Sequence, residues 1–346
     1  MGGLGYIGRH LSLVCLESAH DILIVGAATN SSSSLLDALR QKYPLRKVFF
    51  EQCDFTDTAA LTAVFNTYQV TTVIYTLRNS FLKHMDAFMD NYKVVAVLGS
   101  ITSAIAAAPL ITKFIMVSNT DIYAGNGAPL NKNGKYDKKD GFNVQHPYAF
   151  LVYLKEKMAH DFYNLCKRLA LVILRVAVPV GSDDLFFSTY YSHPETLPRS
   201  FQHNLLTHYA GHQKQLLTIY KSTTNTIDGS VNVNLISVKD VATALYAAAH
   251  HFLQQQPRTF KIYNVAYPVS LTAIQWLRAL ICAANDDNLP SPRFQLVAHT
   301  DQKNTAVKLY NTDDTHSDLN WTFPLHKPQM ELAKLASWVV IHRHSF

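Results

Sequence analysis

Gly2, Gly5 and Gly8 are evenly spaced at the head of the chain, in Gly2-Gly3-Leu4-Gly5-Tyr6-Ile7-Gly8. Glycines at that spacing permit positive φ and let backbone N–H groups approach an anion that a Cβ would hold off. Placed between a strand and a helix whose N-terminus faces it, such a turn cradles a pyrophosphate. Here the turn and an apolar helix are present, but no apolar strand leads into them. His203, His208 and His212 stand out among sixteen histidines, yet no carboxylate completes an H-E-x-x-H pattern, so no metal is expected. The four cysteines, Cys15, Cys53, Cys166 and Cys282, lie far apart without a C-x-x-C pair, which argues against a zinc site or disulfide framework and for a reducing compartment.

These groups must be held by a scaffold, and the hydrophobic pattern names one. Helical patterning over Arg9 to Ser18, Leu35 to Gln41, Thr58 to Asn66, Asp86 to Ala108 and Tyr148 to Arg168 alternates with short apolar runs. Those runs are Asp21 to Val25, Lys47 to Phe50, Thr72 to Tyr75, Lys113 to Val117 and Leu169 to Arg175. Strands that read as continuous apolar runs between helices predict a parallel sheet covered on both faces. Later come strands Val231 to Ser237 and Phe260 to Val265, helices Val238 to Leu253 and Leu271 to Ala284, and a closing helix Lys327 to His342. The expected organisation is an α/β doubly wound domain over residues 1–180, and over 181–346 a smaller α/β lobe that returns late elements to the sheet.

Composition limits the partners. A hydrophobic share of 48% and a charged share of 16% suit a globular chain, and the net charge of +6 is dispersed except for Lys132, Lys135, Lys138 and Lys139. That knot lies among Gly and Asn and reads as a solvated loop, so nucleic acid is not an expected partner. Val94 to Thr112 carries no charge and has the length of a bilayer span, but its Gly, Ser, Thr and Pro point to a buried helix and a turn. No membrane span or signal peptide is expected, although a presequence is open if Met1 is not the true start.

The residues resemble the extended short-chain dehydrogenase/reductase family, which includes NAD-dependent sugar-nucleotide epimerases and dehydratases and 3β-hydroxysteroid dehydrogenases. The glycine turn resembles its cofactor turn, and Asp54-Phe55-Thr56-Asp57 its D-x-x-D, whose first Asp contacts the adenine. Val117-Ser118-Asn119-Thr120-Asp121-Ile122-Tyr123 resembles V-S-S-x-x-V-Y, Pro147-Tyr148 resembles P-Y-x-x-x-K, and Ile173-Leu174-Arg175 the strand after the active-site helix. Asn91, Asn234 to Ala242, Tyr263-Asn264-Val265 and Leu319-Asn320-Trp321 with Pro324 continue the likeness to the end of the chain. The resemblance implies a Rossmann-like fold and NAD or NADP as cofactor. It places Gly2, Gly5, Tyr6, Ile7, Gly8, Asp54, Phe55, Ser118 and Tyr148 at the dinucleotide, and Tyr148 with a hydroxyl partner at the reaction.

The departures are chemical. The family's Tyr transfers a proton while a Lys one turn on lowers its pKa; one turn after Tyr148 stands Val152. Tyr153 and Lys157, spaced to share a helix face, are a possible substitute pair, and Lys155 a second source of charge. The catalytic Ser or Thr position holds Asn119, with Ser118 and Thr120 beside it. Gly26-Ala27-Ala28-Thr29 lacks the acidic residue that selects NAD, so the choice between NAD and NADP is open. The central first strand is missing from the sequence as it stands. Two readings compete. One is a catalytically degenerate, nucleotide-binding or structural subunit of a larger assembly, in the cytoplasm or an organelle matrix such as the mitochondrial one. The other is an active NAD(P)-dependent epimerase, dehydratase or hydroxysteroid dehydrogenase with a shifted Tyr and Lys. Either accommodates a homodimer through the helices Asp86 to Ala108 and Tyr148 to Arg168, and the active form a small-molecule substrate.

Overall fold

The computed structural model describes residues 1–26, 32–77, 86–123, 135–138, 147–181, 217–220, 230, 232–251, 258–284, 294–297, 310–321, 327, 329–331 and 333–334. The first half alternates helices and strands. They are α1 (Tyr6–Glu17), β1 (Ile22–Gly26), α2 (Ser32–Lys42), β2 (Val48–Gln52), α3 (Thr58–Thr67), β3 (Thr72–Tyr75), α4 (Asp86–Ala107), β4 (Lys113–Asn119), a 3-10 turn Thr120–Tyr123, α5 (Pro147–Leu165) and β5 (Ala170–Val176). Each expected element of this half is present, with ends shifted by a few residues. The second half runs β6 (Val178–Val180), β7 (Leu217–Tyr220), β8 (Asn232–Val233), β9 (Leu235–Ser237), α6 (Val238–His251), β10 (Phe260–Val265), β11 (Leu271–Thr272), α7 (Ala273–Ala284), β12 (Phe294–Val297) and α8 (Asp313–Leu319).

The main sheet is parallel, with strand order β10-β5-β4-β3, and β1 pairs with β2 in parallel beside it. The slot between β3 and β1, where the sequence leaves the first strand short, is spanned by Met1 and Gly2. The Met1 amino group donates to Ile74 O (3.0 Å), Thr76 N donates to Met1 O (3.1 Å), and Gly2 N donates to Val25 O (3.0 Å). Burial pulls the Met1 amino group down to about 5. These bonds bring the turn to the carboxyl ends of the strands, the side on which open α/β sheets bind ligands.

Period-two alternation sends neighbouring side chains of the central strands to opposite faces. Phe114, Met116, Leu171 and Ile173 enter one buried cluster with Leu61 and Phe65 of α3, Leu98, Ile101 and Ile105 of α4, and Ala159 of α5. Ile115, Val172, Leu174 and Val176 enter the other, with Leu11 of α1 and Val241 and Leu245 of α6. The sheet is therefore covered on both sides, as the apolar runs require. The uncharged stretch after Val94 forms most of α4 and the turn after it, with Leu98, Ile101 and Ile105 buried and Ser103 and Ala106 exposed, and among the described residues no helix is long and apolar enough to cross a membrane.

At the amino edge two cations close helix ends. Arg168 Nη2 donates to Ile105 O (2.7 Å), Ala106 O (3.0 Å) and Ala108 O (3.0 Å), and its Nε to Ile111 O (3.2 Å), satisfying carbonyls that end α4. Lys113 Nζ donates to Ala249 O in the last turn of α6 (3.0 Å), and burial lowers its pKa to about 8. Expected strand Val231 to Ser237 divides into β8 and β9, because Asn234 leaves the ladder and its Nδ2 donates to Tyr267 O (3.3 Å). The expected helix from Leu271 begins two residues later, after β11, which pairs antiparallel with β8. Ile105→Ala removes a fully buried side chain from the α4 face; it should lower unfolding free energy by about 2–5 kcal/mol in a urea melt.

Candidate functional site

The glycine turn has no spare volume. Gly2 sits at φ +78°, Gly5 N donates to Gly2 O (2.9 Å), and Arg9 N donates to Gly5 O (2.9 Å) as α1 begins at Tyr6. A Cβ on Gly8 would lie 2.2 Å from Gly2 O and 2.6 Å from Gly3 Cα, so the helix rests directly on the turn. Thr76 Oγ1 points at both Met1 O (3.0 Å) and Gly2 O (3.1 Å), fixing the turn to the end of β3. The first turn of α1 carries no acidic residue, which leaves its N-terminal partial charge available to an anion. Tyr6 turns its hydroxyl to Gly181 O at the end of β6 (3.1 Å), while Ile7 packs on the core. These residues fit a dinucleotide pyrophosphate: a glycine-lined cradle at a helix N-terminus, at the carboxyl edge.

After β2, Asp54 Oδ1 accepts from Thr56 N and Thr56 Oγ1, both 2.8 Å, and these bonds hold its carboxyl below the usual range while leaving it exposed. Asp57 Oδ1 caps α3 by accepting from Ala60 N (2.9 Å), and Phe55 packs on the core between them. The two aspartates thus divide the work: the second starts a helix, and the first stays at the surface beside the β1–β2 ends.

At the end of β4 the polar groups turn inward. Ser118 Oγ donates to Glu156 Oε1 (2.5 Å). Arg175 Nη2 donates to Glu156 Oε2 (2.7 Å), its Nε reaches both carboxylate oxygens, and its Nη1 donates to the Tyr123 hydroxyl (2.6 Å), which donates to Asn264 Oδ1 (2.8 Å). The Arg175 side chain is 0% exposed and that of Glu156 7%. Burial pushes the Tyr123 phenol up to about 12, with Arg175 pulling the other way. Asn119 Oδ1 accepts from Asp121 N (2.7 Å) and so opens the 3-10 turn, while Thr120 is buried with its hydroxyl beside the Tyr310 phenol. Of the three hydroxyl or amide candidates, two are therefore committed to the interior and the third shapes the backbone.

Helix α5 brings the remaining candidates. Tyr148 lies in its first turn, with its side chain outside the described residues, as is that of Asn91 in α4. Glu156 holds the helix to β5 through Arg175, and that contact fixes which side chains face the sheet. Val152, one turn before Glu156 on the same face, is 3% exposed and belongs to the buried cluster of Leu11, Ile122 and Tyr123. Tyr153 is half-buried against that cluster, whereas Lys157 is half-exposed and paired with Asp161 one turn further on. Lys155 is buried, with its ammonium 4.9 Å above the centre of the Tyr75 ring at the end of β3; burial lowers its pKa to about 8, Glu156 opposing. Sequence reasoning did not find Tyr310 as the Thr120 partner. The only signal available was an aromatic just before the L-N-W segment.

Residues 1–266 match the NAD dependent epimerase/dehydratase family. The chain belongs to this family. Among curated proteins, a UDP-glucose 4-epimerase of Yersinia enterocolitica is 26% identical over 292 residues, covering 80% of this chain and 79% of the relative. The human UDP-glucose 4-epimerase is 24% identical over 339 residues, covering 95% and 92%. Among solved structures, UDP-glucose-4-epimerase from Stenotrophomonas maltophila with bound NAD and formylated UDP-arabinopyranose superposes with a TM-score of 0.84 at 18% identity, covering 100% of this chain and 98% of that one. The Bifidobacterium longum UDP-glucose 4-epimerase in complex with NAD+ and UDP gives a TM-score of 0.77, also at 18% identity, with coverage of 100% and 98%. The epimerase fold explains why a parallel sheet, a glycine turn and a Tyr-bearing helix occur together here.

Two outcomes follow from this geometry. Arg175→Met leaves Glu156 buried without its cation and should cost about 3–5 kcal/mol, whereas Arg175→Met with Glu156→Met should recover most of the loss; chemical denaturation of both reads the difference. Gly8→Ala forces the turn off α1 and should destabilise the fold by about 1–3 kcal/mol, visible as a lowered melting temperature.

Proposed function

We propose that this chain is a catalytically degenerate member of the epimerase/dehydratase family, a protein that binds a nicotinamide dinucleotide and serves as a nucleotide-binding or structural subunit. The observation that carries this reading is Val152, held in the core where an ammonium would be needed one turn from Tyr148. A buried isopropyl group neither stabilises a phenolate nor bonds a ribose hydroxyl. The burial of Thr120 and the outward pairing of Lys157 with Asp161 add to it. Dinucleotide binding is supported by the glycine cradle and by the NAD named in the Stenotrophomonas and Bifidobacterium structures. When bound, the dinucleotide would supply a hydride acceptor and donor. In this chain Gly2, Gly5 and Gly8 would hold its pyrophosphate and Asp54 its adenosine side. Phe150, 46% exposed, and Leu165, 81% exposed, leave apolar surface on α5, which suits pairing with a second chain through α4 and α5.

One observation favours an active nucleotide-sugar epimerase instead. Lys155 places a buried ammonium at the carboxyl end of β3, close to the residue that secures the glycine turn. Titration of the full-length protein with NADH, followed by nucleotide fluorescence, should show binding. The same protein given UDP-galactose and NAD should produce no UDP-glucose above the enzyme-free rate. Turnover that disappears in Tyr148→Phe or Lys155→Met would overturn the degenerate reading and establish the active one.

A further inference from the structure

Helices α1 and α6 pack side by side and both begin at the carboxyl edge of the sheet, so both end at the opposite edge. Their last turns bring three rings together. The His20 and Tyr246 centres are 5.7 Å apart, Tyr246 and His250 stack at 5.7 Å, and His20 and His250 are 6.1 Å apart. The two histidines are exposed and Tyr246 is half-buried. His20 Nε2 lies 3.2 Å from the Tyr246 hydroxyl, a contact that orients one imidazole.

The chain incurs strain to put His20 there. Helix α1 ends with Ala19 N donating to Leu16 O (3.1 Å) and His20 N donating to Cys15 O (3.0 Å), the paired bonds of a left-handed termination. The residue in the left-handed region is Ala19 at φ +69°, where glycine would avoid a cost of about 1–2 kcal/mol. That turn swings the chain back over α6 and sets His20 against Tyr246. Both helices also direct their C-terminal partial negative charge at the cluster, which favours a cation. Lys113 answers one of those carbonyls, at Ala249, from inside the fold, leaving the rings on the solvent side.

The geometry points to a metal site: His20 and His250 hold one divalent transition-metal ion of the zinc, copper or nickel class, with the Tyr246 hydroxyl steering His20 and water completing the shell. Imidazole nitrogens suit these ions and not magnesium or calcium. Two imidazoles on one ion, each bonded at about 2.0–2.1 Å, bring ring centres to roughly 5–6 Å, close to the spacing already present. An outer-shell hydrogen bond on a ligating imidazole is the usual companion of such sites. Among the described residues no group of three His, Cys, Asp and Glu gathers, so the ion has two protein nitrogens and stays open to solvent. The site is separate from the dinucleotide cradle. It would clasp the end of α1 to the end of α6.

The test uses the untagged, metal-free full-length chain beside His20→Ala, His250→Ala and the double variant, with Zn(II), Cu(II) and Mg(II) as probes. Both positions are exposed, so the metal-free variants should melt with the wild type. Equilibrium dialysis should show one more bound Zn(II) or Cu(II) in the wild type than in the double variant. Each single variant should weaken that equivalent by roughly a hundredfold, the loss expected when a two-point attachment becomes one. Zn(II) should raise the melting temperature of the wild type alone, and Mg(II) should do nothing. Equal numbers of bound ions in the wild type and the double variant, an adventitious ion only on the chain's other histidines, would overturn the assignment.

Discussion

The ion pair between Glu156 and Arg175 is the constraint on which the candidate site depends. Taking both charges out of water is costly, and the cost is offset only because every polar atom near them is used: Ser118 on one carboxylate oxygen, Tyr123 on the guanidinium, Asn264 behind Tyr123. The network joins β4, the 3-10 turn, α5, β5 and β10, elements far apart in sequence. Tyr136 and Tyr310 stack around Tyr123 and carry the connection into the chain before α8. Because it fixes α5 against β5 in one rotation, it also decides that position 152 faces the interior. The position's chemistry is then set by its side chain alone, and that side chain is a hydrocarbon.

Much of this was legible in the residues. Apolar runs of strand length between amphipathic helices specified the parallel sheet, since no other arrangement buries strands on both faces. Glycine at positions 2, 5 and 8 specified the cradle: Gly2 takes a positive φ, and a Cβ on Gly8 would run into the backbone of Gly2 and Gly3. The helix from Thr58 was also legible, whereas its cap by Asp57 came from the structure. What could not be read is where side chains at the end of β4 point. Ser118, Asn119 and Thr120 are consecutive and alike in polarity. Their separation into an ion-pair partner, a backbone brace and a Tyr310 partner is set by groups brought from distant segments. Lys155 was equally opaque, because a lysine on a helix is ordinarily solvated and only the packing of Tyr75 shows it to be inside.

Under the degenerate reading proposed above, relatedness and chemistry point in different directions. The fold is that of UDP-glucose 4-epimerases across nearly the whole length, and the glycine turn meets the N-terminus of α1 without side chains between them. Binding and reaction make separate demands on such a scaffold. Binding asks for backbone geometry, which glycine and Thr76 secure without any charged side chain. Reaction asks for a phenol whose proton is loosened by a neighbouring cation, and that requirement rests on few side chains. A protein can therefore lose the second while leaving the first whole.

The two ends of the sheet are fastened by different means. At one rim Arg168 and Lys113 staple the last turns of α4 and α6 to the ends of neighbouring segments, using interior cations that have nowhere else to go. At the other rim Thr76 holds the glycine turn and Asp57 caps α3, while the first turn of α1 carries no acidic side chain. With both rims anchored, the start of α1 is left as a positive pole without a built-in counter-charge, a socket shaped before any anion arrives.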